Sequence, residues 1–308
     1  QRQMCIRDSN QGIEFTLNTT NIKNRNFSWT SNFNIAFNKN KVLALAENQV
    51  SMPTAAKFDQ NYNSQYSYIA KVGYPMGMMY GFIYEGTYKY EDFDKVGDTY
   101  TLKRNVPYFS SESNTQPGMP KYADLNGDGI IDDNDRTMIG NGMPKHTGGF
   151  TNNFEYKGFD LSIFFQWSYG NDVLNANRLF FENSNKTRDL NQYASYADRW
   201  TTENPESNIP RATDSGSNKV FSTRIIEDGS FLRLKTVSLG YTLPKQLTKK
   251  WKIDNARVFV AGQNLWTCTG YSGYDPEVSI REGALTPGLD FSAYPRAYSI
   301  SFGVNLGF

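Results

Sequence analysis

Residues Asp124 to Asp135 read DLNGDGIIDDND, the one stretch of this chain whose residue types and spacing suit ligand chemistry. Side-chain oxygens fall at loop positions 1, 3, 5, 9 and 12, on Asp124, Asn126, Asp128, Asp132 and Asp135. Gly129 stands at position 6, where the chain must turn sharply, and Ile130 at position 7 can offer its carbonyl. A hard cation such as Ca2+ takes about six to eight oxygens, and this is the spacing of an EF-hand-type loop. Asp replaces the usual Glu at position 12, and its shorter arm weakens bidentate coordination. The same composition also makes a turn held by its own side-chain hydrogen bonds. No helix pair flanks the stretch, so the role expected of Ca2+ is structural: it neutralises carboxylates and orders a long loop.

Nothing else in the chain resembles a reactive centre. There is no nucleophile elbow, Walker loop, paired-cysteine motif or histidine-based metal site, so no enzyme is expected. The lone His146 follows Pro144 and Lys145 in a turn-rich stretch and reads as a loop residue. Cys5 and Cys268 have no ligand spacing, and sequence alone does not show whether they pair. Trp200, Tyr271 and Tyr274 lie in long connections, where they can stack on sugars, touch a partner or pack the connections together. Net charge is +1, from 32 basic and 31 acidic residues, with no basic block that would suit nucleic acid.

The elements that must hold these residues are strands. In PRAYSISFGVNLGF, the apolar Tyr298, Ile300, Phe302, Val304, Leu306 and Phe308 alternate with small or polar residues to a terminal aromatic. A tilted strand of about 10 residues can cross a bilayer with one face to lipid and the other to a polar lumen. A half-buried strand of a soluble sheet has the same period. Ile13 to Thr20 and Phe27 to Asn38 alternate likewise around a short polar turn, with Asn, Ser and Thr on one face. Phe150 to Tyr156 and Phe159 to Tyr169 form a second hairpin about Lys157-Gly158, its apolar face ending in Trp167 and Tyr169. Strands follow at Phe231 to Leu243, with Val237, Leu239, Tyr241 and Leu243 on one face, and at Ala256 to Trp266, whose alternation is less clean. No run approaches the about 18 apolar residues of a helical span. A transmembrane barrel escapes hydropathy because every second residue faces water.

Seven long strands result. Short connections (21–26, 157–158, 244–254) alternate with long ones (40–146, 174–230, 267–293), and a short helix is expected near residues 191 to 200. Long loops all at one end are characteristic of outer-membrane barrels. The expected fold is therefore all-β, an antiparallel transmembrane β-barrel in part, with further strands before residue 12. Residues 1–9 (QRQMCIRDS) have no periodicity and read as a foreign or junction tail, leaving residues 10–308 as the barrel portion of a longer protein.

Several stretches resemble the SusC/RagA-type TonB-dependent outer-membrane transporters of Bacteroidetes. They are GYPMGMMYGFIYEGTY, YADLNGDGIIDDNDRTMIGN, TGGFTNNFEYKGFDLSIFFQWSYGND, RIIEDGSFLRLKTVSLGYTLP, VAGQNLW, GYDPEVS and the ending on Phe. They occur in the family's order and cover nearly all of residues 11 to 308. The resemblance implies a barrel of about 22 strands with an N-terminal plug, of which this chain is the C-terminal portion without the plug. It further implies import of oligosaccharides or peptides driven by TonB, a SusD-like surface lipoprotein as lid, and an outer-membrane location with loops on the cell surface. Phe308 matches the family's signal to the barrel-assembly machinery. The competing expectation is a secreted, calcium-stabilised β-protein that binds glycans. Lipid or detergent dependence separates the two.

Overall fold

The computed structural model describes residues 6–183, 190–212, 219–281 and 283–308. Seven long strands form one antiparallel sheet: β1 (Arg7–Lys23), β2 (Phe27–Ala44), β3 (His146–Tyr156), β4 (Phe159–Tyr169), β5 (Phe231–Thr242), β6 (Asn255–Thr269) and β7 (Ser299–Gly307). Each strand pairs with its neighbours in sequence, so the sheet is a simple meander. β1 begins inside the stretch read as a foreign tail: Arg7, Asp8 and Ser9 pair with Ala44, Val42 and Lys41. Backbone pairing there needs no side-chain period, which is why alternation missed it. Residues 1–5 of that tail lie outside the described residues.

Register turns the alternation of single strands into two continuous faces. Leu17, Phe33, Phe150, Phe165, Leu234 and Trp266 stand opposite one another in one row across six strands. The next residue of each strand gives Thr16, Asn34, Gly149, Gln166, Arg233 and Thr267 on the other face. A second apolar row reaches the end of the sheet through Trp29, Phe154, Leu161, Leu239, Val260 and Phe302. The apolar face is largely uncovered, with Ile13 74% and Phe302 82% exposed. Polar intruders there are partnered: Ser31 Oγ and Trp29 Nε1 both donate to Asn152 Oδ1, at 2.7 and 3.0 Å. A polar group facing hydrocarbon needs such a partner, since no water is available to it.

One bulge keeps the faces consistent. Leu234 and Val237 are three residues apart, and the register of β5 shifts between Leu234 and Thr236. Lys235 is the extra residue, so Leu232 and Leu234 return to the apolar face and Arg233 to the polar one. β6 answers with its own irregularity between Gln263 and Trp266, where Asn264 has a positive φ of 51°. This explains the untidy alternation of β6. The Lys157-Gly158 hairpin puts both residues at positive φ, 45° and 91°, a left-handed turn that suits strand twist.

The meander sends short connections to one end and long ones to the other. The short ones, 24–26, 157–158 and 243–254, carry Arg25, Lys157, Lys245, Lys249, Lys250 and Lys252 against Asp254 alone. The long ones, 45–145, 170–230 and 270–298, hold every buried hydrophobic cluster among the described residues apart from Val42 at the tip of β2. The largest gathers Tyr62, Tyr68, Met79, Leu174, Leu179, Phe221, Ile225 and Leu289 from all three long connections. Short strands tie them further: Asp172–Asn175 pairs with both Ile226–Asp228 and Leu289–Asp290. The helix expected at residues 191 to 200 is a 3-10 turn, Ala194–Asp198, and a short α-helix lies at Asn177–Phe181 instead.

Candidate functional site

The polar face of the sheet and the loop layer above it are where ligand chemistry is available. On the polar face Arg257 reaches back to Asp160, with Nε to Oδ1 at 2.9 Å and Nη2 to Oδ2 at 2.5 Å. The guanidinium lies across Gly240, where a Cβ would stand 2.4 Å from Arg257 Nη2. Glycine is therefore required at that position for the pair to form. Higher on the same face Arg233 is 3% exposed. It donates to Asp275 Oδ1 at 2.6 Å, Glu277 Oε2 at 3.1 Å and Thr267 Oγ1 at 3.1 Å. Arg296 closes the cluster through Glu277 Oε2 at 2.7 Å and Asp275 Oδ2 at 3.2 Å. The motif GYDPEVS thus supplies two carboxylates that pin the last long connection to the sheet. Lys235 Nζ also lies 3.9 Å from Glu277 Oε2, so both carboxylates of this cluster are paired, as buried charge requires.

Sequence reasoning missed Arg233. The available signal was a charge between Leu232 and Leu234 in an otherwise apolar strand, with the three-residue step that follows.

A second constellation lies within the loop layer, around a cavity of about 580 Å3 lined by Asn177, Arg178, Phe181, Glu182, Tyr193, Tyr274 and Asp290 among others. Glu182 is paired with Arg224 at 2.8 Å and with Arg178 at 3.7 Å. Arg178 also meets Glu227 at 2.8 Å. Burial pulls the Glu227 carboxyl upward, but hydrogen bonds from Ser272 and Asn175 and the Arg178 charge outweigh it and hold the group below the usual range. Tyr271 donates its hydroxyl to Asp290 Oδ2 at 2.5 Å, and burial with that bond pushes its phenol far up.

The three aromatic residues singled out in the sequence therefore separate. Trp200 is buried against Tyr90, with ring centroids 5.6 Å apart, and beneath Arg211. Tyr271 is buried on Asp290. Both pack the loops and offer no surface to a ligand or lid. Tyr274 is 83% exposed at the cavity rim. His146 is a correction too: it opens β3, stacks on Tyr169 at 5.1 Å and accepts from Trp167 Nε1 at 3.2 Å through Nδ1. Lys145 and Gly170 simply precede and follow that end of the hairpin. Phe308 follows β7 and is exposed. Cys268 is a free thiol on β6, opposite Leu232 on the apolar face. Cys5 lies outside the described residues.

The 124–135 loop is folded on its own backbone. Asp124 accepts from the N–H of Gly127 and of Gly129, at 2.7 and 2.8 Å. Asn126 accepts from Asp128, Asp128 from Ile130 and Asp132 from Asn134. Asp135, fully buried, takes the N–H of Leu125, Asn126 and Asp132. Gly127 and Gly129 turn at φ of 77° and 83°. Among the described residues no three or more His, Cys, Asp or Glu side chains converge as a metal cage. The position-12 carboxylate is thus committed to closing the loop, while Asp124, Asn126, Asp128 and Asp132 keep spare lone pairs.

A meander with an apolar outer face, a polar inner face and all long loops at one end defines the wall of an outer-membrane-type β-barrel, in part. The comparisons agree with that class. TonB-dependent receptor P3 of Formosa agariphila is 33% identical over 306 residues, 97% of this chain and 28% of its own length. TonB-dependent receptor P26 of the same bacterium is 34% identical over 308 residues, 97% of this chain and 29% of its own length. TonB-dependent receptor SusC of Bacteroides thetaiotaomicron is 25% identical over 303 residues, 97% of this chain and 26% of its own length. Among solved structures, that of the RagAB peptide transporter superposes with a TM-score of 0.74 at 23% identity, covering 98% of this chain and 29% of that one. The RagAB peptide importer in its open-open state gives 0.71 at 25% identity, with 98% and 29% covered. No protein-family model matches the chain. The chain is thus similar, over nearly its whole length, to TonB-dependent receptors of the SusC/RagA type, and has the fold of part of their barrel. It spans less than a third of the length of the relatives it matches. Those relatives are receptors and transporters rather than enzymes.

Proposed function

We propose that this chain is part of the barrel wall and surface loop layer of an outer-membrane, TonB-dependent nutrient importer. The observation that carries the proposal is the inverted distribution of apolar residues. The sheet exposes its apolar rows, while the loops bury theirs. A secreted glycan binder has no use for such a face, whereas a bilayer covers it. In this reading the short connections face the periplasm and the long loops face outward. TonB acts through a plug outside this chain, a SusD-like lipoprotein sits over the loops, and oligosaccharides or peptides are the cargo. Phe308 is the contact for the barrel-assembly machinery. Similarity to SusC and to the RagAB structures supports the outer-membrane import reading as a whole.

Deleting the gene in the producing bacterium tests the import reading. Growth on panels of oligosaccharides and of peptides should fail on at least one, return with the gene, and fail likewise when TonB is removed. Unchanged growth on every panel contradicts it. Calcium in the 124–135 loop belongs to the same proposal and rests on the spacing of its oxygens. Calorimetry should show heat with Ca2+ for the unaltered protein and none for Asp128→Ala; silence in both removes the site.

A further inference from the structure

At the long-loop end, the apolar face of the sheet runs into two charges that nothing in the protein matches. Phe33, Ile35 and Phe37 lead to Lys39 and Lys41 in one row of β2, with Gln11 and Ser9 opposite the two lysines. The residues between them fix the facing. Asn40 is 7% exposed and Val42 is fully buried. Asn40 Oδ1 accepts from the Met76 N–H, and the Val42 N–H donates to the Tyr74 carbonyl, so the loop body covers the other side of the strand. Lys39 and Lys41 are exposed on the apolar side, and neither makes an ion pair or a side-chain hydrogen bond among the described residues. From Phe37 to the short connections, the apolar rows of β1 to β4 carry no Asp, Glu, Lys or Arg.

A third donor stands beside them. His146 opens β3 with its ring 5.5 Å from that of Phe37 and stacked on Tyr169. Its Nδ1 accepts from Trp167 Nε1, so the ring proton sits on Nε2, and that N–H has no partner among the described residues. Gly148 makes room for the indole: a Cβ there would stand 2.1 Å from Trp167 Cζ2. Along the strand Lys39 follows Phe37 by about 7 Å, so its flexible stem and the His146 N–H can meet at one group. Aromatic rings of this kind mark the level at which a bilayer passes from hydrocarbon to headgroups, and lysine stems run along apolar surface while their charges reach those headgroups. Two ammonium groups and an N–H, with no carboxylate on that face, suit a phosphate ester. Continuity with the apolar rows makes the bearer of that phosphate a lipid.

We propose that Lys39, Lys41 and His146 bind the phosphate of a lipid headgroup in the outer leaflet, with Phe37, Trp167 and Tyr169 against its acyl chains. This rests on the reading of the apolar face as lipid-facing and of the long loops as outward.

The test is native mass spectrometry of the full-length receptor in detergent, with monophosphoryl lipid A as probe and its dephosphorylated form as match. The phosphorylated form should bind at least about tenfold more tightly. Lys39→Gln and Lys41→Gln should each weaken it about fivefold, and the pair about twenty-five-fold. His146→Phe keeps a ring on Tyr169 but removes the donor, and should weaken it about fivefold. Lys249→Gln/Lys250→Gln, at the opposite end of the sheet, should leave binding unchanged. Equal binding of the two lipids, or an equal loss from the pair at the opposite end, overturns the proposal. So does a lysine-dependent dimer in place of bound lipid, which assigns the face to a second copy. If the receptor needs detergent but shows no preference for the phosphorylated lipid, the site falls and the barrel stands. A receptor that stays monomeric in solution without detergent removes the barrel reading and the site with it.

Discussion

The sheet and the loop layer of this protein solve opposite problems with similar residues. In the sheet, Phe302, Ile300 and Val304 are 82%, 57% and 61% exposed. In the loops, Phe221, Tyr68 and Ile225 are 1%, 0% and 0% exposed. The loops form a folded body whose rings pack on one another: Phe58, Tyr62 and Phe221 meet at centroid distances of 5.6 to 6.2 Å. The sheet has no such core and relies on backbone pairing and on whatever covers its apolar face. The difference teaches that aromatic content alone is no guide to burial. Rings in strict alternation serve the surroundings of the barrel, and rings in irregular sequence serve the interior of the loops.

Substitutions that act on one region and spare the other sharpen that contrast. Phe221→Ala removes a ring from the centre of the loop body and should cost it about 3–5 kcal/mol. Hydrogen exchange should then rise across residues 45–145 and 219–230 while β1 to β7 stay protected. Equal loosening of the strands would mean that the two regions fold as one unit. Phe302→Arg, on the outer face, should cost about 2–4 kcal/mol when the receptor folds into vesicles, whereas Ser301→Arg on the inner face should cost far less. Urea titrations of the two variants compare the faces directly, and equal losses would remove the distinction between them.

Glu227 supplies a smaller, pH-dependent contrast. Its carboxyl is depressed because Ser272, Asn175 and Arg178 outweigh burial. A depressed carboxyl stabilises fully above its unfolded value, and that contribution is lost as pH falls through the folded value. The loop layer around residues 226–228 and 271–273 should therefore loosen in acid before the sheet does. Glu227→Gln should lower stability at neutral pH by about 1–3 kcal/mol and remove much of the acid step there. Hydrogen exchange at neutral and acid pH measures both, and an unchanged acid step assigns it to another group.

Much of the sheet was legible because its period of two is imposed by the pleat and by a difference between its two sides. Val237, Leu239 and Tyr241 were placed on one face and lie there. The bulge at Lys235 was not foreseen, since an extra residue breaks the period that reveals a strand. Arg7 to Ser9 were missed for a related reason: backbone pairing continues where side chains carry no pattern. The loop body is legible in sequence only as three long connections with a short helix. Its contacts join residues more than a hundred apart, such as the Tyr68 hydroxyl to the Pro287 carbonyl at 3.0 Å, and no local pattern marks them. The same holds for Asp290, Glu227 and Arg178, whose chemistry joins two separate connections, 170–230 and 270–298. The 124–135 oxygens were legible in spacing, with a cation site and a self-bonded turn both open, and the acceptance of backbone N–H groups by Asp124 and Asp135 became visible only in how the loop closes.

Cysteine scanning along β7 in the intact receptor tests the central claim most directly, in a background with Cys5 and Cys268 replaced by serine. Cysteines at Ile300, Phe302 and Val304 should resist a water-soluble maleimide in native membranes and react once the membranes are dissolved and the protein is denatured, while cysteines at Ser299, Ser301 and Asn305 should react at the membrane stage. That two-residue period is the signature of a wall with lipid on one side and an aqueous interior on the other. Ready labelling of Ile300, Phe302 and Val304 in membranes would contradict it and place the apolar face of the sheet against water.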